Sequence, residues 1–189
     1  MHFLTRCLLP LALAASAAAE EVTVDATRRD DGLEVTCRAI LEAPVELIWQ
    51  TLTDYNRLAE FIPGMRSSRV LERRGATVVV EQAGEASFLF FSVPIDVTIA
   101  STERPPLAIE ARLLKGNLRR MEGVYRIEPQ AQGRALLRWD GYIEPGSATP
   151  RLFGEVLMRA VIEEQFRGMV REIERRDELR RSQPRSPGT

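Results

Sequence analysis

Histidine and cysteine are nearly missing from this chain. Its 189 residues include one histidine, His2, and two cysteines, Cys7 and Cys37. His2 and Cys7 both fall in the opening stretch MHFLTRCLLPLALAASAAA. That stretch has the layout of a secretory signal peptide: Arg6 as a positive n-region, Cys7 to Ala15 as an apolar core, and Ala17-Ala18-Ala19 as a small-residue cleavage site. The apolar run is shorter than the ~20 residues a spanning helix needs. Cys7 also lacks the small residues before it that a lipoprotein signal would show. Cleavage after Ala19 and a periplasmic or secreted address are therefore expected; the alternative is an uncleaved N-terminal anchor.

Without residues 1–19 the chain has no histidine and a single cysteine, Cys37. An intramolecular disulfide is then excluded, and so is a zinc site built from His and Cys. Schemes that need imidazole as a base, the Ser-His and Cys-His arrangements, are excluded as well. The remaining 25 basic and 27 acidic residues balance to a net charge of −2, which gives no electrostatic reason to expect nucleic acid. No Gly-rich phosphate loop, metal-ligand spacing or nucleophile elbow occurs, and no cofactor or metal is implied. The length fits one domain over residues 20–178. The end, residues 179–189, lacks apolar periodicity and is expected to be disordered.

Between these ends the pattern is mostly alternation. Leu33, Val35, Cys37, Ala39 and Leu41 share one face of a half-buried strand, and Val22 to Ala26 can pair with it through the Asp31-Gly32 turn. Pro44 then opens a helix with Val45, Ile48, Trp49 and Leu52 on one stripe. A second short helix reaches Phe61, with Asp54 or Asn56 as its cap, and Pro63-Gly64 ends it. Strands follow over 69–72 and 77–82, with a turn at Gly84-Glu85. A long strand over 89–99 is expected to bend at Pro94. Further strands cover 107–113, 121–128 and 135–143, separated by turns at Lys115-Gly116-Asn117 and Gln132-Gly133. Short connections make this an antiparallel meander. A helix from about Arg151 to Glu178 closes the chain; it is apolar on nearly all sides in its first half. The fold class is α+β: a curved antiparallel sheet of about six to seven strands gripping the long C-terminal helix, with two short helices after the first strand.

The segments AP-VELIWQTLTDYNRLAEFIPGM-SSRVLER at 43–73 and GNLRRMEGVYRIEP at 116–129, with the long helix from Pro150, resemble the START-like helix-grip superfamily. This superfamily covers polyketide cyclases/dehydrases and lipid-transport proteins, and the likeness is greatest to its coenzyme Q-binding branch. The resemblance runs over roughly residues 33–176 in the same order. It implies a cavity for a hydrophobic small molecule between sheet and helix. The signal peptide is a departure from members that act on ubiquinone inside mitochondria or on ribosomes, so it leaves the ligand open.

Side-chain sizes bear on such a cavity. Ala111, Gly123, Ala135 and Gly141 lie on the inferred inward faces. Small inward residues mean either a helix seated very close or space held for a ligand. The candidate lining has a rim of Tyr55, Leu58, Phe61, Ile62 and Met65, and a floor of Phe91, Val93, Ile95, Ile109, Met121, Tyr125 and Trp139. Its lid is Phe153, Val156, Leu157 and Ala160. For each of these, plain core is the competing reading. Arg119 shares the parity of Met121 and Tyr125, so it is the candidate head-group contact, unless it snorkels out at the sheet edge. Cys37 reads as a small core hydrophobe.

Three functions remain open at this level. The first is non-catalytic binding or transport of a quinone, isoprenoid or lipid, with transient membrane contact. The second is a cyclase or dehydratase using Tyr125, Arg119 or a pocket carboxylate. The third is a docking module whose rim, 55–65, lies exposed against a protein or membrane.

Overall fold

The structure, a computed structural model, describes residues 22–88, 91–146 and 154–183. The leader, the start of the last helix at Pro150, and Leu89 lie outside the described residues.

Strands β1 (Thr23–Arg29) and β2 (Gly32–Leu41) form the opening hairpin. Helix α1 (Val45–Leu52), a 3-10 turn (Tyr55–Arg57) and helix α2 (Leu58–Phe61) follow. Six strands come next: β3 (Met65–Arg74), β4 (Thr77–Phe88), β5 (Phe91–Arg104), β6 (Ala108–Gly116), β7 (Arg120–Pro129) and β8 (Ala135–Glu144). Helix α3 (Gly154–Ser182) ends the described chain. Among the described residues the strands make one antiparallel eight-stranded sheet in the order β1-β2-β8-β7-β6-β5-β4-β3. The opening hairpin carries the count past six or seven.

The predicted faces are the observed ones. Leu33, Val35, Cys37, Ala39 and Leu41 are all buried, as are Ala135, Leu137 and Ile143 on the paired strand β8. They meet a stripe on α3 formed by Met158, Ile162, Phe166, Met169 and Ile173. These recur every three or four residues, so they lie on one side of the helix.

Several local expectations are corrected by long-range contacts. Gly84-Glu85 is not a turn but the middle of β4, opposite Ile95 and Pro94. A Cβ on Gly84 would strike the Gly64 carbonyl oxygen, so the glycine serves close backbone approach rather than a reversal. Lys115 and Gly116 likewise belong to β6. The irregularity of β5 falls between Thr98 and Ile99 on the β6 side, while its ladder with β4 passes Pro94 without a register shift. Neither Asp54 nor Asn56 caps a helix. Asp54 pairs with Arg176 of α3 at 2.9 Å, and Asn56 Oδ1 accepts the Val70 N–H at 2.8 Å. Both candidate caps therefore tie the turn to distant elements. Helix α3 extends to Ser182, past the expected end at Glu178, because Asp177 binds Arg180 and Arg181 within the last turns. Residues 179–182, placed in the disordered tail, are thus helical.

Candidate functional site

Pro63-Gly64 fixes the entrance. Gly64 has φ +76°, a region open to glycine, and its carbonyl accepts the Glu85 N–H at 2.8 Å. The turn after α2 is thereby pinned to β4. From above, α3 seats on the same turn at Gly168, where an added Cβ would lie 2.9 Å from the Phe61 carbonyl oxygen and collide with the Pro63 ring.

Two adjoining chambers lie between the sheet and α3, with volumes of about 190 Å³ and 110 Å³. Met65, Gln82, Ile99, Met121, Ile143, Ile162 and Gln165 line both. Together they stand at the lower end of the ~300–1,000 Å³ typical of small-molecule sites.

The predicted lining divides clearly. Tyr55, Leu58, Ile62, Met65, Ile109, Met121, Tyr125 and Trp139 line the larger chamber, and Ile95 lines the smaller. The lid residues do not. Leu157 and Val93 are buried with Ala86 in a separate cluster beside the chambers. Val156 is 54% exposed. Ala160 is half-buried and outside the lining. The true lid is the next face of α3: Met158, Val161, Ile162, Gln165, Phe166 and Met169. A helix half that is apolar all round does not reveal which side faces a cavity. Phe61 also turns away, under the Arg176 guanidinium at 5.4 Å from its ring centre. The Phe91 side chain and Phe153 lie outside the described residues.

Arg119 takes the edge position. It is 55% exposed and 3.5 Å from Glu144, outside both chambers: its backbone N–H still bonds to the Glu144 carbonyl at the end of β8, and its side chain reaches solvent at the sheet edge. The rim is not an exposed patch either: Tyr55, Leu58 and Ile62 are each under a tenth exposed. That removes the premise of docking through an open apolar rim.

Four neutral polar side chains were missed: Gln82, Ser101, Gln165 and the hydroxyl of Tyr55. A signal existed. Gln82 continues the inward parity of Val78 and Val80, and Ser101 that of Val97 and Ile99. Gln165 interrupts the apolar stripe of α3. Gln82 Nε2 donates a long 3.5 Å hydrogen bond to Ser68 Oγ.

The small residues have a different use from the one expected. Ala111, Gly123 and Gly141 pair in a row across β6, β7 and β8. A Cβ on Gly123 would lie 2.9 Å from Trp139 Nε1, and one on Gly141 would strike the same indole. The glycines seat the Trp139 ring, which then forms part of the floor. Tyr125 lies beside it with ring centres 6.3 Å apart, tilted by 46°.

Burial pushes the phenols of Tyr55 and Tyr125 well above their ordinary pKa; Glu103 adds to the effect at Tyr55 and Cys37 at Tyr125. Burial also raises the Cys37 thiol to about 12. Glu122 contributes to the wall from β7, but its carboxylate is half-exposed and pairs with Arg120 at 2.6 Å.

A wider groove of about 940 Å³ crosses the outer face of the sheet. Its acidic residues are engaged: Asp140 with Thr36, Arg126 and Arg138, Glu34 with Arg29, Glu110 with Arg104. It is broad and open and carries many charged and hydroxyl side chains, so the chambers under α3 are the better candidate for a hydrophobic ligand.

An eight-stranded antiparallel sheet wrapped around a long C-terminal helix, with an internal cavity between them, defines the START-like helix-grip class. The family described as polyketide cyclase / dehydrase and lipid transport matches residues 41–171, and the chain belongs to it. No curated protein sequence matches the chain. Among solved structures it is similar to the Zhui aromatase/cyclase of a Streptomyces species, at 18% identity and TM-score 0.67, covering 82% of this chain and 98% of that one. A STAR-related lipid transfer protein from Xanthomonas axonopodis is similar at 14% identity and TM-score 0.65, covering 84% and 96%. A START superfamily protein from Mycobacterium smegmatis is similar at 16% identity and TM-score 0.63, covering 75% and 97%. At these identities the likeness concerns the fold.

Proposed function

We propose that the chain binds or carries a hydrophobic small molecule, a quinone, isoprenoid or lipid, in the chambers under α3, on the far side of a membrane. The observation that carries this reading is the lining itself. It is apolar apart from neutral amide and hydroxyl groups; the two carboxylate residues in its walls, Glu85 and Glu122, are exposed, and Glu103, behind Tyr55, is paired with Arg73. Such a surface favours apolar ligands and offers little to move protons. The family's lipid-transport members and the lipid-transfer neighbour support it. Secretion rests on the layout of residues 1–19. Purified protein should release a hydrophobic compound on organic extraction, and native mass spectrometry should show the complex. Nothing co-purifying, with no thermal shift across a panel of quinones and lipids, would end this reading. N-terminal sequencing of the exported protein should begin at Glu20.

The aromatase/cyclase neighbour keeps a second reading, a cyclase or dehydratase acting on a polyketide-like substrate. Its acid would be a tyrosine, Tyr55 or Tyr125, both in the lining. Turnover of an aromatic polyketide mimic, abolished by Tyr125→Phe, is the result that would favour it.

A further inference from the structure

Tyr55 is 5% exposed, and among the described residues its hydroxyl is the buried side-chain polar atom left without a hydrogen-bond partner. Ser101 and Glu103 lie close enough to shift its titration by hydrogen bonding, but neither contact reaches full hydrogen-bond geometry. Ser101 is itself buried and lines the larger chamber with Tyr55. A buried hydroxyl without a well-formed hydrogen bond contributes little to stability, and phenylalanine would fill the same space. The hydroxyl therefore has donor capacity to offer a group that enters the chamber.

The surroundings narrow what that something is. Glu103 sits beside the hydroxyl, its side chain 17% exposed and held by Arg73 at 3.4 Å. The burial and the adjacent carboxylate keep the phenol protonated at neutral pH, so it acts as a donor. The same carboxylate disfavours an anionic head group. We propose that the ligand carries an uncharged oxygen, a carbonyl or hydroxyl, at one end of an apolar body, and that Tyr55 Oη donates to it with Ser101 alongside. This rests on the cavity-binding reading above and transfers the head-group role from Arg119 to Tyr55.

Three probes of one shape test it by calorimetry: naphthalene, 2-naphthol and 2-naphthoate. The native protein should bind 2-naphthol about 5–10-fold tighter than naphthalene, the worth of one hydrogen bond, and 2-naphthoate more weakly than 2-naphthol. Tyr55→Phe should erase the 2-naphthol advantage over naphthalene and unfold at the same or a higher temperature. An advantage that survives in Tyr55→Phe overturns the inference and leaves the cavity reading standing. So does tightest binding of 2-naphthoate, or equal loss of all three probes in the variant. If the native protein binds none of the three, the cavity reading falls and this inference falls with it.

Discussion

Gly123 and Gly141 face each other across β7 and β8, and Trp139 explains both. Their smallness was legible in the sequence, but its cause was not, because the indole reaches its neighbours only when the two strands pair. Gly141→Val should therefore displace Trp139 and cost about 1–3 kcal/mol of stability, read as a lower urea midpoint. Cys37 shows the opposite case, where position in one strand was enough. It sits at an inward parity position, is wholly buried, and its thiol pKa is raised to about 12. It should resist a thiol reagent at pH 8 in the folded protein and react at once in denaturant. The polar residues of the chamber, Gln82, Ser101 and Gln165, break apolar patterns at inward positions. They were readable in principle, yet a break in alternation is a weak cue until neighbouring strands show that three such breaks converge.

At the scale of elements, α3 is held by charge at one end and by shape in the middle. Glu172 is 7% exposed and accepts from Arg175 and Arg176, and Arg176 reaches across to Asp54. Hydrogen bonds from Arg175 lead in lowering the Glu172 pKa from 4.5 to about 2, with Arg176 adding to them against the opposing cost of burial. Because the folded pKa lies below the unfolded one, this contribution is complete above pH ~4.5 and is lost as pH falls toward 2. Urea midpoints followed from pH 6 to pH 3 should fall less steeply in Glu172→Gln than in the native protein. The middle of the helix depends on Gly168, pressed against Pro63 and the Phe61 carbonyl. Gly168→Val should lift α3 from the turn and destabilise by about 1–3 kcal/mol, visible in thermal unfolding. The i,i+4 pair Glu163–Arg167 was readable from spacing and is present at 2.8 Å. The Asp54–Arg176 contact has no such local signature, so Asp54 looked like a cap.

For the molecule as a whole, binding requires the two chambers to stay empty of side chains. Gln165 lines both. Gln165→Trp should fill them and weaken naphthalene binding by at least about tenfold, while the thermal midpoint shifts little, since added contacts offset the lost space. A calorimetric titration beside a melting curve checks both halves. Ile95, Ile109, Met121, Tyr125 and Trp139 of the expected floor face the chambers, because strand parity carries over directly into which face a residue takes. The lid was misplaced by part of a helical turn, because apolar residues surround the first half of α3 and periodicity alone gives no preferred side.

Alternation, turn chemistry and the order of elements depend on residues a few positions apart. Those interactions are present in any stretch of the chain, so strands, helices and the helix-grip class could be read from it directly. The face of α3 over the cavity, the seat of Trp139, the outward turn of Arg119 and the unpaired hydroxyl of Tyr55 depend on groups distant in sequence. Only closing the sheet around α3 brings those groups within van der Waals and hydrogen-bonding range, and the site takes its character there.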